Sequence, residues 1–168
     1  MNNLALLDEA QGKYAQAEAL CSQVLEISGP GKTQDISALY FVSCAASLYQ
    51  REGKYDLAQT YLAQVLAGYR RTLGSESPDT MEAAANLALA YLSQGKFAEG
   101  EPLAREAVET VRKKSPEDWR RFRAESVLGS ILAGQKKYAE AEPLLLEGYR
   151  GPGPVLPGSP PRMGRPTL

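Results

Sequence analysis

The sequence predicts an all-α solenoid, a row of about four stacked antiparallel helix pairs. Three observations carry this. First, one block recurs four times: GKYAQAEAL from Gly12, GKYDLAQTYL from Gly53, GKFAEGEPL from Gly95 and KKYAEAEPL from Lys136. Second, its aromatic returns as Tyr14, Tyr55, Phe97 and Tyr138, at intervals of 41, 42 and 41 residues. Random composition would not keep that beat, and repeats of this length build solenoids. Third, small residues hold fixed places around each block, at Ala5, Ala46, Ala88 and Gly129 before it and at Ala17, Ala58, Gly100 and Ala141 within it. Small residues in register mean that two helix backbones must approach closely there.

Each unit reads as helix A, a short turn and helix B. Upstream of the aromatics lie NNLALLDEAQ, SCAASLYQRE, ANLALAYLSQ and SVLGSILAGQ. Between the small residues, apolar side chains such as Leu87 and Tyr91, or Leu62, Val65 and Leu66, keep the helical spacing of three and four. Gly12, Gly53 and Gly95 stand where helix A must stop, and glycine accepts the left-handed conformation used there. Lys136 takes that place in the fourth unit and is expected to be strained or differently built. Ser77-Pro78-Asp79 and Ser115-Pro116-Glu117-Asp118 each offer a Ser N-cap, a Pro for the first turn and an acid for the helix dipole. Pro102 and Pro143 fall within about a turn and a half of the start of helix B, where a missing amide costs least.

The expected units are about 1–30, 31–74, 75–114 and 115–150, giving eight helices with the first and last incomplete. Asn3 has only two residues ahead of it, whereas helix A of the third unit starts near Pro78, eight residues before Asn86. Helix B of the fourth unit runs from about Tyr138 to Arg150, shorter than its counterparts ending near Thr72 and Lys114. Both ends are therefore expected to cut through repeats of a longer array. From Gly151 to Leu168, ten of eighteen residues are Gly or Pro. That stretch is expected to be a disordered tail.

Composition excludes several function classes. A net charge of −1 argues against a broad footprint for nucleic acid or an anionic membrane. No apolar run approaches bilayer length, and Asp8 and Glu9 interrupt the N-terminal Leu/Ala stretch. Two cysteines, Cys21 and Cys44, fit a reducing compartment, so the expected location is cytoplasmic. The chain has no His, which removes the commonest general base and metal ligand. Acids are scattered without a convergent pair, and no phosphate-cradling or metal-ligand spacing occurs. The expectation is no enzyme, no cofactor and no metal.

Some residues admit a second reading. The repeated aromatics are read as packing between helices A and B rather than as a ligand-stacking row. Cys21 and Cys44 are read as buried or half-exposed free thiols, because they lack Cys-x-x-Cys spacing. The basic cluster Arg120, Arg121 and Arg123, with Trp119 and Phe122, is read as a solvated face, with Arg123 turned towards the groove described next.

The pattern resembles tetratricopeptide repeats, in the long form of about 42 residues found in kinesin light chains and many bacterial repeat proteins. Asn2-Asn3-Leu4-Ala5 with Gln11-Gly12-Lys13-Tyr14, Asn86-Leu87-Ala88 with Gln94-Gly95-Lys96-Phe97, and Ala141-Glu142-Pro143-Leu144 carry the match, over roughly residues 1–150. The resemblance implies a right-handed superhelix whose A helices line a concave groove holding a peptide or a partner helix. In kinesin light chains that groove faces cargo adaptors. Carried over, the groove positions are Asn2, Asn3, Leu6 and Glu9 in the first unit and Tyr40, Ser43, Cys44, Ser47, Gln50 and Arg51 in the second. The third unit gives Glu82, Asn86, Leu89 and Ser93, and the fourth Arg123, Ser126, Val127 and Ser130. The Asn of units one and three becomes Cys44 and Val127 in the others. The paired Lys and Asn of chaperone-type carboxylate clamps are absent.

The expected function is a protein–protein interaction scaffold. The alternative is a structural spacer or regulatory fragment of a larger multidomain protein. Its expected partner is a protein or peptide, not nucleic acid or membrane. The uncapped array ends offer a route to self-association.

Overall fold

The computed structural model describes residues 35–150. They form six helices: α1 (Ile36–Arg51), α2 (Tyr55–Leu73), α3 (Pro78–Ser93), α4 (Phe97–Lys114), α5 (Trp119–Gly134) and α6 (Tyr138–Arg150). No strand occurs among the described residues. Successive helices pack on one another along the whole row, so the architecture is an α-solenoid of helix pairs. Helices α1, α3 and α5 are the A helices, and α2, α4 and α6 are the B helices. Ala5, Ala17, Tyr14, Cys21 and the tail from Gly151 lie outside the described residues.

The A-to-B turn is built the same way three times. Gly53 donates its N–H to the Gln50 carbonyl at 3.1 Å, and Lys54 donates to the Tyr49 carbonyl at 2.8 Å. Gly95 and Lys96 repeat the pair on Leu92 and Tyr91, and Lys136 and Lys137 repeat it on Ala133 and Leu132. This is a Schellman-type arrangement, which satisfies carbonyls that the helix end leaves open. It needs a left-handed residue, and φ is 77° at Gly53, 71° at Gly95 and 64° at Lys136. The fourth turn is therefore strained rather than rebuilt, because Lys136 carries a Cβ into that region.

Helix starts differ more than the sequence suggests. Ser77 sits at the N-cap of α3 with Pro78 after it, but its side chain makes no capping bond. Ser115 is not an N-cap; it closes α4, and its amide donates to the Val111 carbonyl at 2.8 Å. Asp118 caps α5 instead, accepting from the Arg120 amide at 2.9 Å. A carboxylate at that position also meets the positive end of the helix dipole.

The small residues mark close approaches within each pair. Ala46 and Ala58 are fully buried, as is Ala88. A Cβ added at Gly100 would stand 3.2 Å from the Ala88 carbonyl oxygen, and one at Gly129 would stand 3.2 Å from the Ala141 carbonyl oxygen. Leu62, Val65, Met81, Ile131 and Leu132 fill the space between helices, each almost completely buried. Burying each such side chain contributes about 1.5–3 kcal/mol of transfer free energy.

The repeated aromatics do not simply pack between A and B of their own unit. The Phe97 ring lies over Gly134 of the next A helix, where an added Cβ would fall within 2.5 Å of two ring carbons. Tyr55 and Tyr138 are exposed. Phe97 thus serves the junction to the following unit.

Candidate functional site

The candidate site is the outward surface of the A row. Helices α3 and α5 pack directly on each other, whereas no comparably extensive contact joins α2 to α4 or α4 to α6. The B row is instead bridged by long side chains. Arg70 donates to Glu106 at 2.6 Å between α2 and α4, and Arg105 donates to Glu140 at 2.9 Å between α4 and α6. Glu101 accepts from Arg105 at 2.8 Å and from Lys137 at 3.0 Å. Lys137 first, then Arg105, lowers the Glu101 carboxyl to about 2.

Repeat register lines up four rows across the A helices. Tyr40, Glu82 and Arg123 form one, and Cys44, Asn86 and Val127 the next. Ser47, Leu89 and Ser130 follow, then Arg51, Ser93 and Gly134. Tyr40, Cys44, Ser47, Arg51 and Ser93 are exposed, and Ser43, Gln50, Glu82, Asn86, Leu89, Arg123, Ser126 and Ser130 are half-buried. Val127 is the exception: it is 6% exposed and belongs to the core, which removes it from the surface set. Cys44 is exposed rather than sheltered, and its thiol, by charge first and then by a hydrogen bond, holds the Tyr40 hydroxyl above its ordinary value. Asn2, Asn3, Leu6 and Glu9 lie outside the described residues.

The third and fourth A helices are joined by a polar network. Arg123 donates to Asn86 Oδ1 at 2.5 Å and lies 3.7 Å from Glu82. Arg120 donates to Glu82 at 2.9 Å and to Asp118 at 2.9 Å, and stands 3.8 Å from Asp79. The Glu82 hydrogen bond is the largest influence raising the Arg120 guanidinium further above its ordinary value. The basic cluster is thus half-buried and charge-compensated, not a solvated face. Its guanidiniums are committed to carboxylates, which leaves little free positive field for phosphates.

Ser47, Ser93 and Ser130 each donate to the carbonyl one turn back, at 3.1, 3.0 and 2.8 Å, which leaves the hydroxyl oxygens as acceptors facing outward. Leu89 shares the register of Ser47 and Ser130 and packs partly into the core. The surface is therefore a shallow strip of small polar groups with an apolar floor.

Sequence reasoning missed Glu125. It is fully buried between α4 and α5, where its Oε1 accepts from Arg112 Nε at 2.7 Å and lies 3.9 Å from Arg121. The same register holds Val42 and Ala84, both buried. An acid at a position that is apolar in the other units was the signal that could have found it. Among the described residues no group of three or more acids and cysteines could hold a metal ion, and no helix is long and apolar enough to cross a membrane.

Two tetratricopeptide repeat models match the sequence, one over residues 35–113 and one over residues 1–28. Among solved structures, BtubC (BKLC) from P. vanneervenii is similar with a TM-score of 0.74 at 19% identity, over 98% of this chain and 67% of that one. A putative kinesin light chain of Podosopora anserina with nearly identical TPR-like repeats gives a TM-score of 0.68 at 27% identity, over 84% of this chain and 68% of that one. A point variant of that protein gives 0.70 at 26% identity, with the same coverage. No curated protein matches the sequence. The chain belongs to the tetratricopeptide repeat proteins, with repeats of the kinesin light chain-like kind.

Proposed function

We propose that the chain is a protein-binding scaffold that holds a peptide or a partner helix along the A-helix surface. The observation that carries this is the set of serines on the A row. Apart from the Arg120, Arg123, Glu82 and Asn86 network, which bridges α3 and α5 as ion pairs bridge the B row, Ser47, Ser93 and Ser130 bond only within their own helices and keep acceptors outward. The close approach of α3 and α5 favours the A row as the inner curve, where an extended ligand contacts several units at once. On this reading the binding residues are Tyr40, Ser43, Cys44, Ser47, Gln50 and Arg51 with Glu82, Asn86, Leu89, Ser93, Arg123, Ser126 and Ser130. Asn2, Asn3 and Leu6 extend the set in the first unit.

The Arg120, Arg123, Glu82 and Asn86 network favours a second reading at one point. These groups already satisfy one another, as a spacer with no ligand of its own would require. Photo-cross-linkers at Ser93 and at Glu109, on opposite rows, decide between them. Cross-links to a cellular protein from Ser93 alone support the binding surface. Cross-links from neither position support the spacer.

A further inference from the structure

The junction of α1 with α3 lacks the arginines that close the next one. Between α3 and α5, Arg120 donates to Glu82 at 2.9 Å, Arg123 donates to Asn86 at 2.5 Å, and the two helices pack directly on each other. One unit earlier, α3 holds Asp79 and Glu82 in the register of those arginines, and α1 holds Tyr40 and Cys44 in the register of Glu82 and Asn86. No comparably extensive contact joins α1 to α3. Neither helix supplies a cation there: α3 contains no Lys or Arg, and α1 contains none before Arg51.

Tyr69 of α2 brings its hydroxyl into this junction. The residue is only 7% exposed, and among the described residues its hydroxyl makes no hydrogen bond. Burial first, then the charges of Asp79 and Glu82, then Cys44 and Tyr40, hold that hydroxyl above its ordinary value, so these four side chains gather round it. At the mouth the Asp79 side chain is 55% exposed and Tyr40 is 62% exposed. Asp79, Glu82 and Asp118 share only the guanidiniums of Arg120 and Arg123, so one negative charge is left over.

We propose that this junction takes an arginine side chain of the partner peptide, its guanidinium held by Asp79 and the Tyr69 hydroxyl and stacked on the Tyr40 ring. This names the chemistry of the partner and rests on the A-row reading. A guanidinium suits the three groups together. Its N–H donors meet the Asp79 carboxylate and the Tyr69 oxygen, and the exposed face of Tyr40 attracts the cation. Helix α3 already receives guanidiniums on its other side, where Arg120 and Arg123 donate to Glu82 and Asn86. An acidic side chain would instead meet carboxylates that are not fully offset.

Titrating the 168-residue chain with N-acetyl-arginine amide, followed by the aromatic NMR signals of Tyr40 and Tyr69, tests this. The expected result is a saturable shift of both rings. The citrulline amide, which keeps the shape and loses the charge, binds at least about tenfold more weakly. Asp79→Asn and Tyr69→Phe each weaken the arginine amide about fivefold, and Glu109→Gln on the exposed side of α4 leaves it unchanged. Helical circular dichroism checks each variant, and exposed Asp79 carries the test where Tyr69→Phe unfolds the chain. No shift with the arginine amide overturns the proposal. So do equal shifts from the citrulline amide, or binding that a folded Asp79→Asn chain keeps in full. Such a failure leaves cross-links from Ser93 intact, whereas failure of the A-row surface removes those cross-links and not the arginine shifts.

Discussion

Lys136 occupies the left-handed position that Gly53 and Gly95 hold in the two preceding turns, with φ at 64° against 77° and 71°. One backbone geometry is thus imposed on two different residue types. The turn keeps its hydrogen bonding in spite of the strain: Lys137 still donates to the Leu132 carbonyl at 2.9 Å. Lys136→Gly should stabilise the chain by about 0.5–1 kcal/mol, strain relief being offset in part by the greater freedom of the unfolded chain. Gly95→Ala should destabilise by about 1 kcal/mol, even though its Cβ would meet nothing within 4 Å. Urea midpoints of the two variants check both signs.

The Ala88 and Gly100 contact sets the spacing of α3 and α4. Ala88 is fully buried, and its carbonyl oxygen lies 3.2 Å from where a Gly100 Cβ would stand. Ala88→Leu should cost about 1–3 kcal/mol through overpacking. Thermal unfolding followed by circular dichroism measures it, with Ala98→Leu on the exposed side of α4 as a control that should change little.

Glu125 and Arg112 form an ion pair with one end buried and the other half in water. Arg112→Leu should destabilise by about 2–3 kcal/mol, because it strips the buried carboxylate of its closest partner. Adding Glu125→Ala, the residue that Ala84 supplies in the preceding unit, should recover most of the loss. A double-mutant cycle in urea reads out the coupling.

The depressed Glu101 carboxyl gives a pH dependence of known sign. Its value falls from 4.5 to about 2 in the fold, because Lys137 and Arg105 favour the charged form. The resulting stability is fully present above 4.5 and is lost as pH falls towards 2. The pair is near the surface, so Glu101→Gln should cost under about 1 kcal/mol at neutral pH. The gap between variant and wild type should close between pH 4.5 and 2, as read from unfolding midpoints across that window.

The fold was legible because its strongest signals are local and repeated. The Gly-Lys-aromatic turn, the small residues at Ala88 and Gly100 and the apolar run through Leu62, Val65 and Leu66 each restate one geometry several times. What stayed hidden depends on neighbouring units. Phe97 reads in sequence as a core residue of its own pair, but it meets Gly134, almost a full repeat further on. Val127 reads as a surface position because its register partners Cys44 and Asn86 are polar, yet an apolar side chain in that place turns into the core. Asp118 displaces Ser115 as the cap because Ser115 is already used to close α4. Arg120 and Arg123 read as a free basic cluster because their partners Glu82 and Asn86 lie about one repeat away.

The A-row surface is tested most directly by isothermal titration of a partner identified through the Ser93 cross-link. The variants are Ser93→Arg, whose parent hydroxyl bonds only to the Leu89 carbonyl of its own helix, and Glu109→Arg on the exposed side of α4. If the A row holds the ligand, Ser93→Arg weakens binding at least about tenfold and Glu109→Arg leaves it unchanged, with both variants folded. Equal affinity for wild type and Ser93→Arg, or a loss confined to Glu109→Arg, would contradict it.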